Sequence, residues 1–366
     1  MTAPPMTEVS GPMIEARGLT RWFDAPGRDG GRVEAVKGID LDVAAGELVA
    51  FLGPNGAGKS TTLRMLTTLL QPSEGTARVA GCDVRDDPAG VRRRIGYIGQ
   101  GNGAGHTQRV RDELVSQGRC YGMTRAAARE RSEELLASLG LDGLEKRIVS
   151  TLSGGQRRRL DIALGMVHHP SLLFLDEPST GLDPQNRANL QREISALRES
   201  HGTTIVLTTH YLDEADALAD RVVVVDHGRI IADDTSAALK DGLAGDLVVL
   251  VAEQAGEAAT LAEAIRRAGR AAEMTVEGPQ VTARLRDGAS LLPGLLVELH
   301  GRGVVVASAE VARPTLDDVF LALTGRSLRE GRDPGQPSTD QPSTDQPATD
   351  QPSTDQPSTE PAYQEV

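Results

Sequence analysis

The run Gly53-Pro54-Asn55-Gly56-Ala57-Gly58-Lys59-Ser60, with Thr61 behind it, fits G-x-x-x-x-G-K-[ST] and constrains this chain more than any other feature. An apolar stretch, Leu48 to Leu52, leads into it, and a helical spacing through Leu63, Leu66 and Leu70 follows. Strand, glycine loop, helix is a phosphate-binding arrangement. Glycines let the backbone wrap closely enough for successive N–H groups to point at phosphate oxygens. The helix start adds a favourable partial positive charge. Lys59 supplies a mobile point charge for β- and γ-phosphates, and Ser60 offers a hydroxyl to Mg²⁺.

A phosphate loop alone says nucleotide binder without saying which kind. A second constellation is an apolar strand, Leu172 to Leu175, delivering Asp176 and Glu177 at its carboxyl end. Strand ends are where ligands sit in doubly wound sheets. Asp176 is placed to hold the Mg²⁺ shell, and Glu177 to orient and polarise an attacking water, because phosphoryl transfer needs positioning and charge neutralisation. An acidic helix cap around Glu177-Pro178-Ser179 is the bland alternative. A third feature is Leu152-Ser153-Gly154-Gly155-Gln156 heading a helical run. Ser153 with two glycines at a helix start is again an anion-binding geometry. One nucleotide can satisfy both helix starts only if two chains face each other head to tail.

From about residue 14 to 239, short β-rich runs alternate with helical stretches: Leu48–Leu52, Arg94–Ile98, Leu172–Leu175, Thr204–Thr208 and Arg221–Asp226. Near-continuous apolar strands of this kind predict an α/β sandwich with a mainly parallel sheet covered on both faces. From about 245 to 324 the pattern reads β-α-β-β-α-β, which predicts a small ferredoxin-like α+β unit. From Gln336 to Glu360 a five-residue unit, Q-P-S-T-D, repeats with small changes. It carries nothing large or apolar, so it cannot offset its chain entropy and reads as a disordered acidic tail. The expected division is a flexible 1–13, a nucleotide-binding domain at 14–240, the small unit at 241–325 and the tail at 326–366.

Charge excludes one class of partner. The net charge is −13, but about seven of the acids fall in the tail with no basic residue among them, leaving the body near −6. A nucleic-acid binder needs basic surface to displace phosphate counterions, so none is expected as partner. Mean hydropathy is −0.27, and no apolar run approaches the roughly 20 residues needed to cross a bilayer. The first residues lack the basic patch and apolar core of a secretory signal. Cys82 and Cys120 lack metal-ligand spacing and read as reduced thiols.

Residues of about 14 to 240 resemble the nucleotide-binding subunit of an ATP-binding cassette (ABC) transporter. The resemblance rests on an ordered set: the phosphate loop, Gln100, L-S-G-G-Q, L-L-F-L-D-E-P, Gly181-Leu182-Asp183 and His210. It implies a P-loop ATPase fold and a homodimer in which the phosphate loop and Glu177 of one subunit close on Ser153, Gly154, Gly155 and Gln156 of the other. ATP and Mg²⁺ are the implied ligands. Gln100 takes the place of the family's mobile glutamine beside the metal, Asp183 lies on the loop between the two sites, and His210 matches the histidine at the γ-phosphate. Phe23 is preferred over Trp22 as the adenine-stacking ring. Glu177, His210 and Lys59 are the expected catalytic residues; Ser60, Gln100 and Asp176 the expected metal site.

The chain carries one cassette and no spanning segment, so a separate membrane permease is implied, with this subunit peripheral on the cytoplasmic face. Pro314 to Gly325 is similar to the closing element of daunorubicin/doxorubicin-type drug exporters, and Leu160-Asp161-Ile162-Ala163-Leu164-Gly165 points the same way. Helical spacing sets Leu316, Val319, Phe320 and Leu323 on one face, for which packing of the small unit is the bland reading, alone or together with a role in the exporter-type closing element. The expected function is ATP-driven efflux of a hydrophobic drug or antibiotic. A soluble ATPase acting on ribosome or nucleic acid, or an importer subunit, is the alternative.

Overall fold

The computed structural model describes residues 11–24, 31–101, 103–268 and 271–325. The repeat tail and most of the expected leader lie outside the described residues. Met13, which the sequence reading put in that leader, is buried: its N–H donates to Val43 O at 2.6 Å, and its carbonyl accepts from Ala80 N at 2.8 Å.

Among the described residues the chain forms three sheets. The central one runs Arg229–Asp234, Arg221–Asp226, Leu48–Leu52, Thr204–Thr209, Leu172–Asp176, Ile95–Ile98, parallel throughout except for the antiparallel first pair. The reason lies in the strands themselves. Leu48–Leu52 and Leu172–Asp176 are buried at every position, and alternate side chains go to opposite faces. Leu48, Ala50 and Leu52 join the cluster beneath the helices. Val49 and Phe51 join a second cluster with Leu19, Val36 and Val79 of an antiparallel sheet. That sheet runs Arg32–Val43, Ile14–Asp24, Glu74–Val79, Cys82–Asp83. Sandwiching on both faces is what a continuous apolar strand requires.

Two antiparallel helices, Val110–Cys120 and Arg125–Ser138, build a helical arm that packs on the helix Gly154–Met166, hereafter the signature helix. The third sheet, Ala271–Glu277, Gln280–Leu285, Asp246–Ala252, Val306–Ala312, is antiparallel at every pairing. With the helices Ala258–Arg267 and Gly288–Gly301 it makes the β-α-β-β-α-β unit, its strand order being that of a ferredoxin-like fold.

The closing helix, Leu316–Thr324, leaves that unit. A Thr315–Asp318 capping box starts it. Its buried face, Leu316, Val319 and Phe320, joins Ala215, Leu218 and Leu239 in the cassette's apolar cluster rather than the cluster of the small sheet. The small unit expected over 241–325 is therefore not closed at its end, because its last helix is shared with the cassette. One ion pair, Arg284 to Asp318 at 2.5 Å, ties that helix back to the small sheet. Phe320 is 1% exposed, so Phe320→Ala should cost about 3–5 kcal/mol through lost burial and a residual cavity. A lowered denaturant midpoint checks this, and an unchanged midpoint would mean the helix is not docked.

Candidate active site

The phosphate loop leaves the strand Leu48–Leu52 and wraps the start of the helix Lys59–Leu66. Two of its glycines are required by close backbone approach. A Cβ on Gly53 would lie 2.1 Å from Val225 O, and one on Gly58, at φ 103°, 2.6 Å from Ala35 O. Lys59 is 4% exposed and folds back on the loop, its Nζ donating to Gly53 O at 2.7 Å and Pro54 O at 3.0 Å. Burial lowers its pKa, and Glu177 and Asp176 push the other way.

The acid strand Leu172–Asp176 lies two places away in the sheet, beyond Thr204–Thr209. Its end brings the expected residues together. Asp176 Oδ1 accepts from Ser60 Oγ at 2.7 Å, and Gln100 Nε2 donates to Ser60 Oγ at 3.2 Å. Glu177 sits 3.7 Å from Lys59 Nζ through Oε1 and 3.7 Å from His210 Nδ1 through Oε2. His210, with Lys59 and the Thr180 hydroxyl, holds the Glu177 carboxyl below the ordinary glutamate range against the opposing pull of burial. Ser60, Asp176 and Gln100 are a hard oxygen-bearing set of the kind Mg²⁺ prefers, so they fit that ion.

Glu177 has φ 48°, a left-handed conformation that costs a non-glycine residue energy. Thr208, on the neighbouring strand, offsets it. Glu177 N donates to Thr208 Oγ1 at 2.9 Å, while the same hydroxyl donates to Asp176 Oδ1 at 2.7 Å. One buried hydroxyl thus fixes both acids. The sequence reading missed Thr208, although a threonine at the end of an apolar strand, two places before His210, was the available signal.

The other expected residues form a second group. Ser153 and Gln156 close a capping box: Gln156 N donates to Ser153 Oγ at 3.2 Å, and Ser153 N to Gln156 Oε1 at 3.0 Å. Asp183 caps the helix Pro184–His201, accepting from Asn186 N at 2.9 Å and Asn186 Nδ2 at 2.6 Å. A Cβ on Gly155 would lie 2.8 Å from Asn186 Oδ1, so Asn186, also missed, seats the signature helix against the Asp183 loop. Among the described residues no hydrogen bond or ion pair joins Ser153, Gly154, Gly155 or Gln156 to Lys59, Ser60, Asp176 or Glu177. Phe23 and Trp22 stand at the end of the first strand. Phe23 is 40% exposed with the Arg21 guanidinium 4.7 Å from its ring centre; Trp22 is half-buried under Arg32 at 5.1 Å. Trp22 belongs to none of the apolar clusters.

Comparison with known proteins shows the family of this chain. The ABC transporter family model matches residues 36–180. The daunorubicin/doxorubicin resistance ATP-binding protein of Streptomyces peucetius is 44% identical over 85% of this chain and 92% of its own length. This chain belongs to the ABC transporter family. The linearmycin resistance ATP-binding protein of Bacillus subtilis (strain 168) is 33% identical over 82% of this ABC chain and 96% of its own. The cassette MJ0796, solved as a dimer in a post-hydrolysis state bound to ADP and Pi, matches with TM-score 0.56 and 24% identity, over 61% of this chain and 98% of that one. It supports the fold. As an ABC ATPase the chain binds ATP, and its reaction is ATP hydrolysis coupled to transport. No helix among the described residues is long and apolar enough to cross a membrane.

Proposed function

We propose that the chain is the ATP-hydrolysing half of an exporter, working as a homodimer on the cytoplasmic face of the membrane beneath a separate permease, with a hydrophobic drug or antibiotic as cargo. The relatives' names speak of resistance to daunorubicin, doxorubicin and linearmycin. Those substrates are theirs; a cargo of the same broad character is the reading for this chain.

The mechanism follows from the charges. Lys59 exchanges the carbonyls of Gly53 and Pro54 for phosphate oxygens, a substitution of weak acceptors by anionic ones. Mg²⁺, held by Ser60 and Asp176 with Gln100 beside them, supplies charge neutralisation at the phosphates when bound. Glu177, kept ionised at neutral pH, accepts a hydrogen bond from the attacking water and orients it. His210, beside Glu177, donates toward the γ-phosphate. Phe23 offers its exposed ring to the adenine.

The observation that carries the dimer is that one chain holds two anion-type helix starts, at Gly58–Lys59 and at Ser153, with no bond between them. Head-to-tail pairing brings Ser153 of the partner subunit to the phosphates held by Lys59, so each pocket is built from two chains. Mixing a Lys59→Ala chain with a Ser153→Arg chain tests it. Each alone should be inactive, whereas an equal mixture should recover about a quarter of the wild-type ATPase, since random pairing gives half the dimers one intact pocket of two. Recovery of nothing would remove the shared pocket.

A further inference from the structure

The signature helix carries two buried charged residues that the proposed mechanism leaves unused. Arg158 and Asp161 lie one turn apart on the signature helix and are 7% and 4% exposed. Burying charge is costly unless partners compensate it. The partners here are backbone groups on both sides of Gln100. Arg158 Nη1 donates to Gly99 O at 2.7 Å, immediately before Gln100. Asp161 Oδ1 accepts from Gly103 N at 3.0 Å and Ala104 N at 3.1 Å, a few residues after it. The same Arg158 reaches the acid strand's end, with Nε to Pro178 O at 2.8 Å and Nη2 to Asp176 O at 3.3 Å.

The loop needs such a grip. Gly99, Gly101, Gly103 and Gly105 alternate through it, and glycine loses more conformational freedom on ordering than any other residue. Outside these bonds, a further hold is the backbone contact of Gly105 with Glu113 of the helical arm. Gln100 must nevertheless stay within reach of the Ser60 hydroxyl. We infer that Arg158 and Asp161 are positioning residues that lock the Gln100 loop to the signature helix, so that the glutamine of one pocket and the Ser153 of the other move as one body. This rests on the proposed reading of Gln100 and Ser153. A permease that pushes on either element then changes both pockets at once.

Asp161→Ala and Asp161→Asn in the full chain separate a grip from mere fold support. Asn keeps an oxygen that accepts from Gly103 and Ala104, whereas Ala does not. In Asp161→Ala, amide exchange in the peptide spanning 101–105 should quicken about tenfold. The ATPase kcat should fall about tenfold through misplacement of Gln100, with KM for ATP within about twofold because the phosphate loop is untouched. Asp161→Asn should restore both exchange and kcat most of the way. Exchange at the wild-type rate, or a kcat loss that Asn does not rescue, overturns the proposal. A wild-type chain that hydrolyses no ATP would instead sink the hydrolytic reading, and the exchange measurement would still decide the grip.

Discussion

Glu177→Gln should reduce ATP turnover by about 100-fold or more, the usual contribution of a positioned general base, while leaving ATP binding intact. Gln occupies nearly the same volume and can still accept from the Thr180 hydroxyl, so the change isolates the carboxylate charge. It also removes one of the two anions that favour a charged Lys59 against burial; Asp176 remains to hold the ammonium in place. With hydrolysis slowed and closure untouched, ATP should trap a dimer, and size-exclusion chromatography with ATP and Mg²⁺ should read it directly. The acid side of the wild-type rate profile carries a second check. Glu177 titrates below the ordinary glutamate range, so its basic form persists as pH falls and is lost only below that range. A variant that turns over at the wild-type rate would take the water-orienting role away from Glu177.

The fold was legible in the sequence where a single physical rule decides the outcome. Leu48–Leu52 and Arg221–Asp226 run as the apolar pattern predicts, because a parallel strand buried on both faces tolerates little else. Lys59, Ser60, Asp176, Glu177 and His210 converge because sheet order puts their strand ends side by side. What the sequence hid depends on partners distant along the chain. Helical spacing identified the apolar face of Leu316, Val319 and Phe320 but not what covers it, and it packs against Ala215 and Leu218, about 100 residues earlier. Thr208 looked like one more β-former in a β-rich run; only the twist of Glu177 beside it makes its hydroxyl matter. Arg158 sits in a run of three arginines, Arg157 to Arg159, and no periodicity says which of them turns inward to the Gln100 loop.

Lys59→Ala should abolish the response to ATP altogether, a larger effect than slowed turnover. The ammonium lies 3.7 Å from Glu177 Oε1, and its two bonds to Gly53 and Pro54 hold the loop in shape. Its removal takes away the point charge meant for the phosphates and leaves Asp176 and Glu177 facing them with less compensation, so an anionic ligand is repelled where it was attracted. A ligand that binds only the folded state at 100 times its Kd stabilises it by about 2.7 kcal/mol. The wild-type chain should therefore melt measurably higher with ATP, and the Lys59→Ala chain should melt at one temperature with or without it. The ligand-free melting temperature should move little, because relief from burying an ammonium offsets the loss of its partners. Lys59→Arg should fail as well: the charge survives, but a planar fork cannot occupy a site shaped for a compact ammonium against two loop carbonyls. If Lys59→Ala kept the wild-type shift with ATP, the nucleotide would have to bind elsewhere, and neither the shared pocket nor the grip on Gln100 would have a ligand to act on.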